Sequence, residues 1–237
     1  MEKLDSVKLA RKTPTTLSDT FCEATAAFGT ISQAKGILDA RERALILVAL
    51  NSAVTHMNAA ALRRHVREAL DAGATGDEIA EVFQLVSVLG IHAVSLGLPA
   101  LLDVLASAGE AYDLTLPLTP QQETLKQKFV EARGYWNSFW EQVLRVDPDL
   151  LDSYARFSSV PWEQGVLSGR LRELIYVAID ASTTHMFDEG TRQHMANALK
   201  HGATPQEIMA VLTLASTLGL QSVAFGMAIL NEEEYGY

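Results

Sequence analysis

The two halves of this chain of 237 residues align with each other without a gap at an offset of 129 residues. About 27 of the 62 pairs from Gly36 to Gly97 are identical, far more than chance would give. Solenoid repeats are about 20 to 50 residues long, so this period indicates a duplicated domain. Two prolines and a polar run mark the boundary. The sequence therefore predicts one unit at 1–113, a linker at 114–122 and a second unit at 123–237.

Each unit has the pattern of an all-α protein. Apolar residues recur at helical spacing, and Gly73 and Gly202 are stop signals just past the second predicted helix of each copy. Both glycines are followed by Thr-x-x-Glu, a capping box that begins the next helix. That apolar helix is interrupted at Gly90 and Gly219. The lack of alternating β-branched runs leaves little room for a sheet.

A further helical segment at 121–145 leads the second copy. It carries four aromatic residues, Tyr135, Trp136, Phe139 and Trp140. Aromatic residues at helical spacing are most often core residues, so we expect these side chains to pack inside the protein.

The composition excludes several classes of function. A net charge of −10 without any basic run argues against binding to nucleic acid or to anionic membranes. The N-terminal segment lacks the apolar core of a signal peptide, and no uninterrupted apolar stretch suggests a membrane span, so we expect a cytoplasmic protein. Cys22, the only cysteine, allows neither an internal disulfide nor a thiolate metal site.

Two pairs of histidines are retained in both copies. His65 and His194 lie on the apolar stripe of a predicted helix, where a histidine is either a core residue with one hydrogen bond or a group that transfers protons. His56 and His185 each lie within Thr-His-Met, between two predicted helices.

This second pair precedes the expected helix N-caps, Asn58 and Asp188. The positive end of a helix disfavours a protonated imidazole, so a neutral ring able to accept a proton is one interpretation. An exposed loop histidine is the other.

The carboxylates distinguish the two copies. Glu173 has Ala44 as its counterpart, so only the second copy combines Glu173 with His185, Asp188 and His194. If one half is catalytic, the sequence favours the second, with His56 and His65 as the corresponding candidates in the first.

Candidate substrate-binding residues surround this set. Arg170 and Arg172 repeat Arg41 and Arg43, and they could bind an anionic substrate or be solvated arginines at a helix start. Tyr176 and Asp188 complete the candidates for contact with a substrate.

Both copies resemble the carboxymuconolactone decarboxylase family, which shares a core with the alkylhydroperoxidase AhpD-like proteins. The matching motifs are Arg-x-Arg-Glu-Leu-Ile at 170–175, His-Val-x-x-Ala-Leu-x-x-Gly at 65–73, and Gly-Ala-Thr-x-x-Glu-Ile at 73–79 and 202–208. The resemblance covers about 60 residues of each half and implies two tandem AhpD-like helical units.

The resemblance implies proton transfer rather than thiol chemistry. The peroxidase branch resembles Glu-x11-Cys-x2-Cys-x3-His, but counting from Glu173 the two cysteine positions hold His185 and Asp188. A Cys-dependent peroxidase is therefore excluded. In the decarboxylase branch a histidine of the His-Val-x-x-Ala-Leu helix acts on a small carboxylated lactone, and it matches His65 and His194 here.

The leading hypothesis is a cofactor-independent acid–base enzyme, of the lyase, decarboxylase or isomerase type, acting on a small organic acid, lactone or enol. One alternative is a divalent-metal enzyme that uses histidines and a carboxylate. Another is a non-catalytic helical scaffold with a decayed site. Single-unit members of the family resemble rings of six, so the resemblance implies a homotrimer with six pseudo-equivalent units.

Overall fold

A computed structural model describes residues 15–235 of the chain, and every regular element in this range is helical. The elements of the first unit are α1 (Asp19–Lys35), α2 (Ala40–Ser52), α3 (Ala59–Asp71), α4 (Gly76–Ser87), a 3-10 turn (Val88–Ile91) and α5 (His92–Ala108). The second unit contains α6 (Pro120–Arg133), α7 (Ser138–Val146), α8 (Pro148–Gln164), α9 (Gly169–Ala181), α10 (Asp188–Lys200), α11 (Pro205–Ser216), a 3-10 turn (Thr217–Gly219) and α12 (Leu220–Tyr235). The prediction of an all-α protein with two tandem helical units is confirmed.

The capping signals act as the sequence predicts. Thr75 and Thr204 both accept a hydrogen bond from the third helical N–H, and the glutamates at 78 and 207 close the boxes. Gly73 and Gly202 adopt the left-handed conformation, with φ of 89° and 87°, that ends the preceding helices. Local sequence therefore determines the turn between α3 and α4 and the turn between α10 and α11.

The leading segment is two helices rather than one. α6 begins at Pro120, inside the predicted linker, because Thr119 forms a capping box with Gln122. It ends at Gly134, whose φ of 71° no continuing helix could adopt. α7 follows after Asn137, so the single helix predicted at 121–145 is broken. α8 is the counterpart of α1 at the same offset of 129, which leaves α6 and α7 as an addition between the two copies.

Two helices, α2 and α9, form the centre of the molecule. They pack on each other, and each also receives the third helix of the other copy, so that α4 contacts α9 and α11 contacts α2. The fully buried side chains of this core include Leu45, Leu50, Leu174 and Ile175. At one end of the interface the repeated threonines meet, with Thr55 Oγ1 and Thr184 Oγ1 3.3 Å apart. The duplication is thus a pseudo-twofold arrangement around one shared core.

A second, smaller core lies under the added helices. The aromatic residues of α6 and α7 pack there against α5 and α8, and Phe129 and Trp140 are buried. The centroids of these two rings are 4.8 Å apart. The expectation that the aromatic residues of this segment pack inside the protein therefore fits Trp140, whereas Tyr135, Trp136 and Phe139 are partly buried around it.

Two helical stretches have the length and composition of membrane spans. They are Gly76–Ala108 and Pro205–Glu234, with mean hydropathies of 2.0 and 1.7. Each contains a 3-10 turn where the sequence predicts an interruption, at Gly90 and Gly219. Core helices of proteins without a membrane pass the same test, so these stretches alone do not indicate a span.

Candidate active site

Glu173 and His194 form a hydrogen-bonded pair between α9 and α10. The His194 Nδ1 atom lies 2.6 Å from Glu173 Oε2, and the carboxylate is buried while the imidazole is partly open. The Tyr176 ring stacks on the imidazole with centroids 4.5 Å apart. A ring that donates from Nδ1 to a carboxylate has a fixed orientation and a free lone pair at Nε2. This arrangement is that of an oriented base.

Asp180 lies on the same face of α9, seven residues beyond Glu173. Only 1% of Asp180 is exposed, and its Oδ2 atom has no hydrogen-bond partner within residues 15–235. That atom is 3.9 Å from His194 Nε2. Burial raises the pKa of the Asp180 carboxyl to about 7, an effect that His194 opposes and Glu173 reinforces. His194 therefore stands between two carboxyl groups.

A second histidine pair lies beside Asp180. The His92 Nδ1 atom, at the start of α5, is 2.6 Å from His185 Nε2 in the turn before α10. Burial, followed by the charges of His185 and His194, lowers the pKa of His92 to about 4, and burial also lowers the pKa of His185. Both rings are thus neutral at pH 7. One ligand atom each from His92, Asp180 and His185 lies within 4.8 Å of the others.

These groups open into a cavity of about 660 Å³. Its polar wall includes Glu173, Asp180, His194 and His92. The aromatic wall comes from α6, α7, α8 and the segment between α6 and α7, and it includes Phe129, Tyr135, Phe139, Trp140, Tyr154 and Trp162. Arg133 also lines the cavity and is held by a hydrogen bond to Ser158 Oγ. A cavity of this size, mostly apolar with a few convergent polar groups, fits a small organic molecule.

The structure brings together only part of the predicted site. Glu173, Tyr176 and His194 meet as one group, whereas His185 contacts His92 rather than Glu173. Burial lowers the pKa of His185, so burial, rather than the end of a helix, favours the neutral ring.

Asp188 was predicted as the N-cap of the helix that is now α10, and this prediction is wrong. Phe187 occupies the N-cap without any side-chain bond, because it stands where the first copy has Asn58. Asp188 is instead exposed and pairs with Arg192 at 2.8 Å, one helical turn away.

The two candidate arginines are engaged elsewhere and do not line the cavity. Arg172 is buried, and its Nε donates to Glu81 Oε1 at 2.5 Å. Arg170 forms ion pairs with Glu42 and with Glu207, the glutamate of a capping box. Arg41 makes the same kind of pair with Glu78 in the first copy. The repeated arginines therefore hold helices together, and both alternatives proposed for them miss this role.

The first copy places different groups at the same positions. Asn51, the counterpart of Asp180, is fully buried and accepts from Gln221 Nε2 at 2.7 Å. Gln221, the counterpart of His92, accepts through Oε1 from Asn58 Nδ2 at 2.5 Å and lies 2.9 Å from His56 Nε2. Every one of these side chains is satisfied within the cluster.

His65, the counterpart of His194, has no carboxylate partner on α2. It is buried and hydrogen-bonds through Nδ1 to Glu68 of its own helix at 2.7 Å. Burial is the main reason that its pKa is lowered. Its Nε2 atom lies 3.1 Å from the Arg64 guanidinium, so both ring nitrogens of this buried histidine are engaged by residues of its own helix.

Sequence reasoning missed His92, Asp180 and Arg133. His92 is not retained in the second copy, where its counterpart is Gln221, and this difference between the copies is itself a signal. Asp180 follows Glu173 and Tyr176 at helical spacing and replaces Asn51, which could have identified it. Nothing in the sequence places Arg133 at the cavity, because its position depends on how α6 packs.

The fold and the site together define a class: an all-helical protein of two fused units, with an acid–base cluster in one of them. The model of the carboxymuconolactone decarboxylase family matches residues 20–109 and 148–232. The chain belongs to this family, as the motifs indicate. α6 and α7 both lie in the segment between the two matched regions.

A crystal structure is similar over most of its length. It is that of a protein from Burkholderia xenovorans LB400, provisionally named a gamma-carboxymuconolactone decarboxylase subunit. The two sequences are 40% identical, with coverage of 89% of this chain and 84% of that chain, and the TM-score is 0.85. Among curated proteins, none matches this chain significantly.

Proposed function

We propose that this protein is an acid–base enzyme of the decarboxylase or isomerase type that acts on a small carboxylated lactone, organic acid or enol. The observation that carries the proposal is the hydrogen bond of 2.6 Å between Glu173 and His194 at the wall of a cavity. A carboxylate that orients an imidazole is a recurrent means of proton transfer in enzymes. Membership of the family supports the reaction class.

His194 carries the proton. In decarboxylation the bond between the substrate carbon and its carboxylate breaks, CO2 leaves, and the electron pair remains as an enolate. Protonated His194 then delivers its Nε2 proton to carbon, and Glu173 stabilises the imidazolium while the charge is present. In isomerisation neutral His194 removes a proton from one carbon and returns it to another. The proton transfer itself needs no cofactor.

Arg133 is the cation best placed for an anionic substrate. It lines the cavity at the end of α6, and its guanidinium lies over the Phe129 ring, 6.0 Å from the centroid. Arginine binds carboxylates in two-point geometry. The aromatic wall would pack against the ring of a cyclic substrate. Arg133 takes the role that the sequence gave to Arg170 and Arg172.

The second unit alone is proposed to be active. His65 lacks an acidic partner from α2, because Ala44 stands where the second copy has Glu173. His56 is bound within a hydrogen-bonded cluster and is not a candidate for proton transfer.

The test uses gamma-carboxymuconolactone as the probe, with muconolactone, which lacks the carboxylate, as the control substrate. CO2 release and solvent deuterium incorporation at carbon are measured together. His194→Gln should lower kcat by about 10²- to 10⁴-fold, the usual contribution of a positioned acid or base. His65→Gln is the matched control and should leave kcat unchanged. Equal measurable rates for wild type and His194→Gln would exclude His194 as the proton carrier, and no turnover by wild type would support the decayed scaffold.

Assembly and location complete the proposal. Large apolar side chains are exposed on α5 and α12, among them Leu96, Val104 and Phe225. A monomer rarely exposes extended apolar faces, so we propose burial between copies in a homotrimer in the cytoplasm. The similar crystal structure is named as that of a subunit, which accords with assembly. Light scattering that gives a mass near the 25.8 kDa of one chain would exclude the trimer.

A further inference from the structure

Three potential metal ligands meet at one edge of the cavity, outside the Glu173–His194 pair. They are His92 Nδ1, His185 Nε2 and a carboxylate oxygen of Asp180, and all lie within 4.8 Å of one another. They come from three separate elements: the start of α5, the turn before α10, and α9. We propose that His92, Asp180 and His185 bind a divalent transition-metal ion.

The unpartnered oxygen of Asp180 is the strongest support for this site. A buried carboxylate normally accepts hydrogen bonds or faces a cation, since burial without a partner costs several kcal/mol as an order of magnitude. Asp180 is only 1% exposed, yet its Oδ2 atom has no hydrogen-bond donor among the described residues. A cation beside it would provide the missing partner.

The donor set determines the kind of ion. Two imidazole nitrogens and one carboxylate oxygen suit Zn²⁺, Fe²⁺ or Co²⁺, whereas Mg²⁺ and Ca²⁺ prefer oxygen ligands alone. Three protein ligands leave a coordination position free. Because His92 and Asp180 line the cavity, that position would be open to a small molecule.

The geometry requires only a small adjustment. The two ring nitrogens are 2.6 Å apart and share one proton. Nitrogens bound to a tetrahedral zinc ion at about 2.0 to 2.1 Å are about 3.3 Å from each other. Binding therefore moves the proton of this hydrogen bond to the other nitrogen of the same imidazole, so that both rings stay neutral, and separates the two nitrogens by less than about 1 Å.

The first copy provides a natural comparison for this site. Its corresponding side chains are Gln221, Asn51 and His56, which satisfy one another. Two amides and one histidine offer a poor ligand set, so we expect no ion there. His92→Gln and Asp180→Asn reproduce the residues of the first copy and should fold, because the same backbone arrangement already accommodates them.

The test is isothermal titration of chelator-treated, tag-free protein with Zn²⁺, together with Co²⁺ titration followed by visible absorption. Wild type should bind one ion per chain. His92→Gln and Asp180→Asn should each weaken binding by at least about tenfold. His56→Gln, the matched control in the first copy, should change nothing. Mg²⁺ should give no heat.

A gain-of-function variant makes the test sharper. Asn51→Asp combined with Gln221→His should add a second ion per chain, since both copies would then carry the same ligands. Equal Zn²⁺ affinity in wild type, His92→Gln and Asp180→Asn would overturn the proposal. All measurements are made without substrate, so the outcome is independent of the proposed reaction, for which His194 and Glu173 are responsible.

Discussion

Two clusters of side chains lie at corresponding positions of the two copies, at residues 51, 56 and 221 and at residues 180, 185 and 92. Their backbone setting is the same, but their side chains differ in charge and hydrogen bonding. In the first, Asn51, His56 and Gln221 form a neutral, hydrogen-bonded network. In the second, Asp180 and two histidines form a titratable group with an unpartnered oxygen. The two copies therefore share a scaffold, and a carboxylate and an imidazole stand in the second where two amides stand in the first.

The two copies also differ at a glycine beside the Asp180 cluster. Gly190 of α10 corresponds to Ala61 of α3. A Cβ atom at Gly190 would collide with Asp180 Oδ2 and the Phe187 ring. The methyl group that Ala61 carries beside the neutral cluster has therefore been removed where the carboxylate needs space.

The largest expected effect is on kcat and comes from placing at position 173 the alanine that the first copy has at position 44. Glu173→Ala leaves His194 without its orienting carboxylate and should lower kcat by about 10²- to 10⁴-fold. Steady-state kinetics on the carboxylated lactone measures this loss. Glu68→Ala, which removes the partner of His65, is the control and should leave kcat within error. A full-rate Glu173→Ala enzyme would contradict the role of the pair.

The next largest effect concerns pH and Asp180. The folded-state pKa is raised from 3.8 to about 7, so between these values the folded protein holds a proton that the unfolded chain has lost. Stability of the metal-free protein should thus fall as pH rises from about 4 to 7 and stay level above. Asp180→Asn should remove this slope and, above pH 8, raise the free energy of unfolding by as much as about 4 kcal/mol.

Urea denaturation at several pH values measures this effect. His92, His185, His194 and Glu173 face the same carboxyl and are retained in the variant. An unchanged slope in Asp180→Asn would assign the pH dependence to another group.

A smaller effect is expected from exchange of the glycine and the alanine. Gly190→Ala forces the Asp180 carboxylate aside and should destabilise the protein by about 1 to 3 kcal/mol, as overpacking does. The reverse change, Ala61→Gly, should cost only about 0.5 to 1 kcal/mol through backbone entropy. Thermal unfolding of both variants compares them directly. Equal losses would mean that the space beside Asp180 has no special role.

The smallest expected effect lies in the neutral cluster. Gln221→Leu removes the hydrogen-bond partner of Asn51 Oδ1 and of His56 Nε2 and should cost about 1 to 2 kcal/mol, with kcat unchanged. Chemical denaturation and kinetics on the same preparation check both parts. A loss of activity would show that the first cluster contributes to catalysis.

The sequence predicts the features of the fold that depend on local signals. The helices, their capping boxes and the glycine turns follow from residues close together in the chain, and the duplication doubles each signal. The pair of Glu173 with His194 was also anticipated, because comparison of the copies isolates the glutamate. Residue 133 could not be assigned, since it reaches the cavity through the packing of α6. The difference between the copies marks residue 92, but only the path of α5 shows which cluster it joins. The same holds for Arg170, whose partner Glu42 belongs to the other copy.

The position of His92 means that the repeat defined by the sequence and the cluster formed in the structure do not contain the same residues. This residue belongs to the first copy by sequence but serves the cluster of the second, while Gln221 makes the reciprocal connection. A polypeptide cut between α5 and α6 would yield two fragments, neither of which has a whole cluster. Zn²⁺ binding at the cluster of His92, Asp180 and His185 should return only when the fragments are mixed, as in split-protein complementation. The fusion therefore acts as a permanent dimer in which each half completes the other.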